Sequence, residues 1–356
     1  MATAGVASRL IRKPLALSAR SLILGAYFAE LGRLPGEKRC AFVLAQTCCK
    51  PRAMQFLAGY FYRCGRRKHQ ENGTIGKLFL PIQPTWSEPM PILNLSAEDD
   101  IHYELIEGDP AKPCLVFLHE GLGCCAMWKD FPAQLCLATG CRGLLYDRLG
   151  YGLSSPLRGR RQLHYLHDYA LRELPQVLEK LIPGQDHFVI GHSDGGSIAL
   201  IYAAQQAPRL RGIITEAAHV FVEGMTLDGI RKAELAFGAG KLDALVQYHG
   251  DKTQAIFKAW CDTWLSYGFR FWNIEYLLPS IECPALVVQG SEDQYGSAEQ
   301  VETIVGLALN AVPAMVEQCG HTPHQEQPQA LLALMAGFLL GRMDAAPHLS
   351  PSPPPS

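Results

Sequence analysis

Phe188-Val189-Ile190-Gly191-His192-Ser193-Asp194-Gly195-Gly196 sets a single serine between two glycines, directly after a short apolar run. A strand ending in Gly-x-Ser-x-Gly turns sharply into a helix, and the flanking glycines let the backbone close on itself without a Cβ in the way. Ser193 then projects from the strand end at the start of a helix. Backbone N–H groups there have no intrahelical partner and can stabilise a developing negative charge. Five residues alone are weak evidence, because a helix-starting serine in a nucleotide-binding βα turn has the same form.

The surrounding chain strengthens the pattern. Pro113 to Leu118 reads as a buried strand that stops at His119-Glu120-Gly121-Leu122-Gly123, a turn rich in glycine. Gly143 to Tyr146 is a second short apolar strand, followed by Asp147-Arg148-Leu149-Gly150-Tyr151-Gly152-Leu153-Ser154. Beyond the serine, Ala285 to Val288 stops at Gly290-Ser291-Glu292-Asp293. Val312 to Val316 leads into Gly320-His321-Thr322-Pro323-His324-Gln325-Glu326-Gln327-Pro328. Strand, glycine turn and helix recur in order, which is the pattern of an α/β protein with a parallel sheet. The strand ends of such a sheet share one edge, so Ser193, Asp293 and His321 can converge there. Glu292 is the alternative acid; of the histidines, His321 alone follows the glycine of the last segment.

Together these segments resemble the α/β-hydrolase fold over roughly residues 92–341. The resemblance implies a mostly parallel central sheet flanked by helices, with a helical cap inserted late in the sheet at about residues 220–280. The most similar branch holds meta-cleavage-product hydrolases, proline iminopeptidases and small carboxylesterases, which implies cleavage of an ester, thioester or similar acyl bond of a small hydrophobic substrate, with carbon–carbon bond hydrolysis, aminopeptidase-like amide cleavage or a non-catalytic ligand-binding role as the alternatives. It implies Ser193 as nucleophile, His321 as general base and Asp293 as triad acid. The backbone N–H groups of Gly121 and Asp194 would form the oxyanion hole. Histidine suits the base because its pKa lies near neutrality, and the acid fixes its tautomer. One departure stands out: Glu120 occupies a position where most relatives carry glycine, which puts a carboxylate beside the oxyanion loop.

The remaining polar residues of these motifs have simpler expected roles. His119 and His192 are expected to hydrogen-bond backbone near the strand ends. Asp147 and Arg148 are expected to form a turn and an ion pair. The Asp194 side chain is expected to face solvent or a substrate amine, and Glu120 to be solvated, paired with a basic residue or turned to substrate.

Between a further strand around Ile213-Ile214 and the strand at Ala285 lies a stretch of about 60 residues that is helical in pattern, long for a simple crossover. Phe257, Trp260, Trp264 and Tyr267 recur at intervals of three and four, which predicts one aromatic helix face; Phe269, Phe271, Trp272 and Tyr276 follow. Most of that face is expected to pack the cap onto the core. Trp260, Trp264 and Trp272, with Glu120, are the candidate substrate contacts, and so aromatic a cap favours an apolar acyl group.

Composition sets further bounds. With 48% hydrophobic and 19% charged residues over 356 positions, the chain can build a large core. Residues 1–70 carry thirteen Lys or Arg against two Glu, whereas the whole chain has a net charge of −2. The catalytic part is therefore acidic and calls for no nucleic-acid partner. Residues 1–29, with four basic and no acidic side chains, fit a mitochondrial transit peptide, a cytoplasmic location being the alternative. Residues 30–91 form a basic accessory segment, and the Pro/Ser-rich tail 342–356 is expected to be disordered. No stretch has the roughly 20 uninterrupted apolar residues of a membrane span. The twelve cysteines are scattered through predicted elements and read as buried thiols. No Cys/His spacing indicates a metal, and the chemistry requires no cofactor; a small-molecule substrate is the expected partner.

Overall fold

A computed structural model describes residues 91–343. The expected transit peptide, nearly all of the 30–91 segment and all but the first two residues of the tail lie outside them. Eight strands form one sheet in the order β1-β2-β4-β3-β5-β6-β7-β8. The six anticipated strands are β3 (Cys114–Leu118), β4 (Gly143–Tyr146), β5 (His187–His192), β6 (Leu210–Glu216), β7 (Ala285–Gly290) and β8 (Ala311–Val316). They pair in parallel. Two unanticipated strands, β1 (Ile92–Asn94) and β2 (Asp100–Ile106), add an antiparallel flank.

Every residue of β3, β4, β5 and β7 is buried, which explains their unbroken apolar runs: both faces are covered. Leu115 and Phe117 of β3 pack with helices α1 (Phe131–Thr139) and α7 (Pro328–Met343) on one side. Val116 and Leu118 belong to the core on the other side, beneath a helix that runs from Tyr165 to Leu181 with a π turn at Tyr169–Glu173. That helix, ending in Leu174–Leu181, is α2; α3 (Asp194–Ala203) follows the serine and is buried along its whole length. The edge strand β8 tolerates Pro313 because one side of its backbone has no strand to bond.

Between β6 and β7 the chain leaves the sheet as a helical insert containing α4 (Gly224–Gly238) and α5 (Thr253–Trp264). Its two ends meet. Phe221 pairs antiparallel with Asn273, and the Ile274 N–H donates to the Val220 carbonyl at 2.8 Å. Phe237 of α4 stacks on Phe257 of α5 with ring centres 3.9 Å apart. Phe257, Trp260 and Trp264 form the buried face expected of α5, but the stripe stops there. The helix ends at Trp264, so Tyr267 falls beyond it and is 77% exposed; Phe271 and Tyr276 are also on the surface. Among the described residues no helix is long and apolar enough to cross a membrane. All eight described cysteines are free thiols, and seven are buried. α6 (Ala298–Leu307) packs beside β7 and β8.

Candidate active site

Ser193 sits between β5 and α3 with φ of 53°, a left-handed conformation that non-glycine residues seldom adopt. The turn is so tight that a Cβ on Gly191 would run into the Gly195 carbonyl, and one on Gly195 into the Leu118 carbonyl. Both clashes are with backbone, so neither glycine can be replaced without moving a strand. The Ser193 N–H donates to the Glu216 carbonyl at 2.8 Å, and its own carbonyl accepts from Ser197 N–H at 3.0 Å. The side chain is left free to meet what lies above the sheet.

What it meets is His321. The imidazole Nε2 stands 3.0 Å from Ser193 Oγ, and Nδ1 stands 2.9 Å from both carboxylate oxygens of Asp293. With an acid at Nδ1, that nitrogen carries the proton and Nε2 is left to accept from the serine hydroxyl. Asp293 Oδ1 also accepts from the Tyr295 N–H at 2.8 Å. Burial works to raise the pKa of Asp293, but the hydrogen bond to His321, its charge and the Tyr295 amide outweigh it and hold the carboxyl below its usual range. Glu292, the alternative acid, is on the surface. Glu326 explains the last motif: its carboxylate accepts from Gly320 N–H at 2.7 Å and Thr322 N–H at 3.0 Å, bracing the loop on both sides of His321.

The loop after β3 is braced from below. The buried Arg148 guanidinium donates to the carbonyls of His119 and Glu120, and its backbone N–H donates to His119 Nε2 at 3.2 Å. His119 Nδ1 donates in turn to the Glu120 carbonyl at 2.8 Å. Burial, reinforced by the Arg148 charge, drops the His119 pKa to about 3, so its ring is neutral. Asp147 and Arg148 thus make no ion pair with each other, contrary to expectation. Asp147 instead holds His102 of β2 at 2.9 Å and the N–H groups of Cys125 and Leu153 at 2.6 and 2.8 Å. His102, Cys125 and Asp147 are the one metal-like grouping among the described residues, and these bonds already occupy the carboxylate.

Gly121 lies against the Asp194 side chain and Trp260: a Cβ there would come 3.2 Å from Asp194 Cγ and 2.8 Å from Trp260 Nε1. This places the two expected oxyanion residues side by side. The Asp194 carboxylate, however, does not face solvent, and one of its oxygens is already engaged. It is buried and accepts from the Tyr165 hydroxyl at 2.7 Å, and that hydroxyl accepts from Trp264 Nε1 at 3.0 Å. Trp264 is therefore a buried link between insert and elbow. Trp272 is half-buried and stacks on Phe269 at 5.4 Å. Glu120 turns to His192, with 3.5 Å between Oε2 and Nδ1. His192 also bonds backbone, as expected, through Nε2 to the His321 carbonyl at 2.7 Å.

Three participants carry no signal in the sequence. Tyr165 bridges α5 and Asp194. His219 stands 6.1 Å from the His321 ring, and burial together with the His321 charge lowers its pKa. Glu216 accepts from His324 Nδ1 at 2.9 Å beneath the loop of His321. No spacing could have found them, since each is defined by a partner far away in the chain. Two clefts, of about 600 and 460 Å³, flank Arg160 to Gln162; neither is walled by Ser193 or His321.

The alpha/beta hydrolase family profile matches residues 115–334. A 2-succinyl-6-hydroxy-2,4-cyclohexadiene-1-carboxylate synthase of Salmonella paratyphi C is 29% identical over 119 residues, 33% of this chain and 44% of that protein. The chain thus spans under half the length of such curated relatives. Among solved structures, the enol-lactonase of Burkholderia xenovorans LB400 is 18% identical with a TM-score of 0.55, covering 70% of this chain and 99% of its own. A thermophilic esterase of Thermogutta terrifontis is 19% identical with the same TM-score, over 69% and 94%. At such identities the likeness is one of fold. The profile covers well over half of the chain, and by that measure this protein belongs to the alpha/beta hydrolase family.

Proposed function

We propose that this protein is a serine hydrolase that cleaves an ester, thioester or similar acyl bond of a small hydrophobic substrate. The observation that carries the reading is the unbroken hydrogen-bonded line from Asp293 through His321 to Ser193 Oγ. In this reading Ser193 Oγ attacks the acyl carbon while His321 Nε2 takes its proton, and Asp293 stabilises the imidazolium. The N–H groups of Gly121 and Asp194 hold the oxyanion; one such donor is worth roughly 3–4 kcal/mol. The imidazolium then protonates the leaving group. Water, activated by the same nitrogen, releases the acyl group from Ser193.

The aminopeptidase-like alternative needs a carboxylate turned to a substrate amine. Engagement of one Asp194 oxygen by Tyr165 and the pairing of Glu120 with His192 disfavour it. Carbon–carbon bond hydrolysis would use the same three residues and is tested alongside. A fluorophosphonate probe should label the folded protein, and the label should vanish in Ser193→Ala; unlabelled folded protein would remove the proposal. A series of p-nitrophenyl esters of increasing acyl length, run beside a vinylogous 1,5-diketone, then separates ester from carbon–carbon chemistry.

A further inference from the structure

His192 is 1% exposed and both of its ring nitrogens face oxygens. Nε2 is 2.7 Å from the carbonyl of His321, and Nδ1 is 3.5 Å from Glu120 Oε2, an ion-pair distance without the geometry of a hydrogen bond. Neither neutral tautomer suits these neighbours. A proton on Nε2 alone turns the Nδ1 lone pair towards a carboxylate; a proton on Nδ1 alone turns the Nε2 lone pair towards a carbonyl. The imidazolium alone sets a positive charge against the carboxylate while Nε2 donates to the carbonyl; the contact of Nδ1 with Glu120 is ionic, with no hydrogen bond formed. The two oxygens belong to different loops. Glu120 directly precedes Gly121, and the carbonyl is that of the residue whose ring meets Ser193.

We propose that His192 is a positioning residue, a buried imidazolium that ties the oxyanion loop at Glu120 to the base loop at His321 across the nucleophile. The inference rests on the serine hydrolase reading. Other groups face the pair. Glu216 lies beneath it and is bound by His324, whose ring centre is 5.0 Å from that of His192; the His321 ring is 5.2 Å away, and His119 adds its own influence on Glu120. Burial opposes the charge on His192, but the nearby carboxylate of Glu120, with the further charge of Glu216, overcomes it and raises the pKa. Burial likewise opposes the charge on Glu120, and His192 outweighs it and lowers that pKa. The carboxylate thus stays ionised. The pair is intact below the pKa of His192 in the folded protein and is lost as pH rises through it.

Two arms test the proposal. In full-length ¹⁵N-histidine-labelled Ser193→Ala protein, assigned by comparison with Ser193→Ala/His192→Gln, both His192 nitrogens should remain protonated at about pH 7, where an unperturbed imidazole is mostly neutral. A neutral ring at that pH would overturn the proposal, whether or not any ester is hydrolysed. In the second arm, Glu120→Gln should lower kcat by ~10–100-fold with KM little changed, the scale of a small misplacement of reacting groups. It should also move the alkaline limb of the kcat profile to lower pH, and Glu120→Asp should recover part of both effects. A fall in kcat with the limb unmoved would reduce the pair to packing. Absence of ester hydrolysis in the unaltered protein would count against the reading of function, leaving the ring nitrogens to decide the pair.

Discussion

The strand-end loops and the helical insert both border the elbow at Ser193 and are held by different balances of force. The loops are polar: His321 is fixed by Asp293, its loop by Glu326, and the Gly121 loop by Arg148. The insert is held more by aromatic packing, Phe237 on Phe257 and Trp264 against Phe269, joined to the rest of the fold by hydrogen bonds such as those from Trp264 to Tyr165 and from His249 to the Leu122 carbonyl. Directional bonds fix atoms, whereas ring packing fixes a surface and tolerates small adjustments. Reaction type should therefore reside in the loops and substrate choice in the insert.

That division can be broken from either side. The largest effects belong to the loops. Ser193→Ala should reduce kcat by ~10⁶-fold with the melting temperature preserved, measured by ester hydrolysis and thermal unfolding; residual activity near that of the unaltered protein would refute the assignment. Asp293→Asn, which presents the wrong hydrogen-bonding partner to His321 Nδ1, should cost ~10⁴-fold in kcat. On the insert side, Trp264→Ala should destabilise the fold by about 3–5 kcal/mol, read from denaturant curves. Its effect on activity should fall on KM and substrate range; a kcat loss as large as that of Asp293→Asn would merge the two regions into one.

Smaller still, Tyr165→Phe leaves one oxygen of the buried Asp194 carboxylate without its donor and should cost about 1–3 kcal/mol of stability. A pH dependence tests the support beneath the loops. Burial, opposed by the Leu149 amide and Arg148, raises the Glu173 pKa to about 8 from 4.5. Between those values the unfolded chain has lost a proton that the folded protein keeps, so stability declines as pH rises through that window and levels off above about 8. Glu173→Gln should flatten the slope of melting temperature against pH there, and an unchanged slope would place the charge elsewhere.

The same contrast explains what the sequence reveals. β3, β5 and β7 are legible because both faces are buried, and Ser193 and Asp293 each stand just past a glycine where an apolar run stops. β2 reads Asp-Ile-His-Tyr-Glu-Leu-Ile, and its mixed polarity hides a strand whose partner β4 lies about forty residues on. The roles of Tyr165, His219 and Glu216 are equally hidden, as is the choice of His102 by Asp147. Each depends on which distant residue arrives beside it, and spacing along the chain does not encode that. The aromatic stripe misled at Tyr267, because its period continues past a helix that ends at Trp264.

The pairing of Phe221 with Asn273 also bears on how the chain folds. β6 and β7 are neighbours, with Ile213 beside Ala285, yet the whole insert separates them. Bringing two strands together across a long flexible connection costs entropy that grows with the logarithm of its length, about 0.6 kcal/mol for each doubling. If the neck closes first, the connection that remains is only the few residues on either side of it, and the insert no longer slows the growth of the sheet. A chain joined directly from Phe221 to Asn273 should then fold its sheet at a rate close to that of the full protein; a much faster rate would show that the neck closes late.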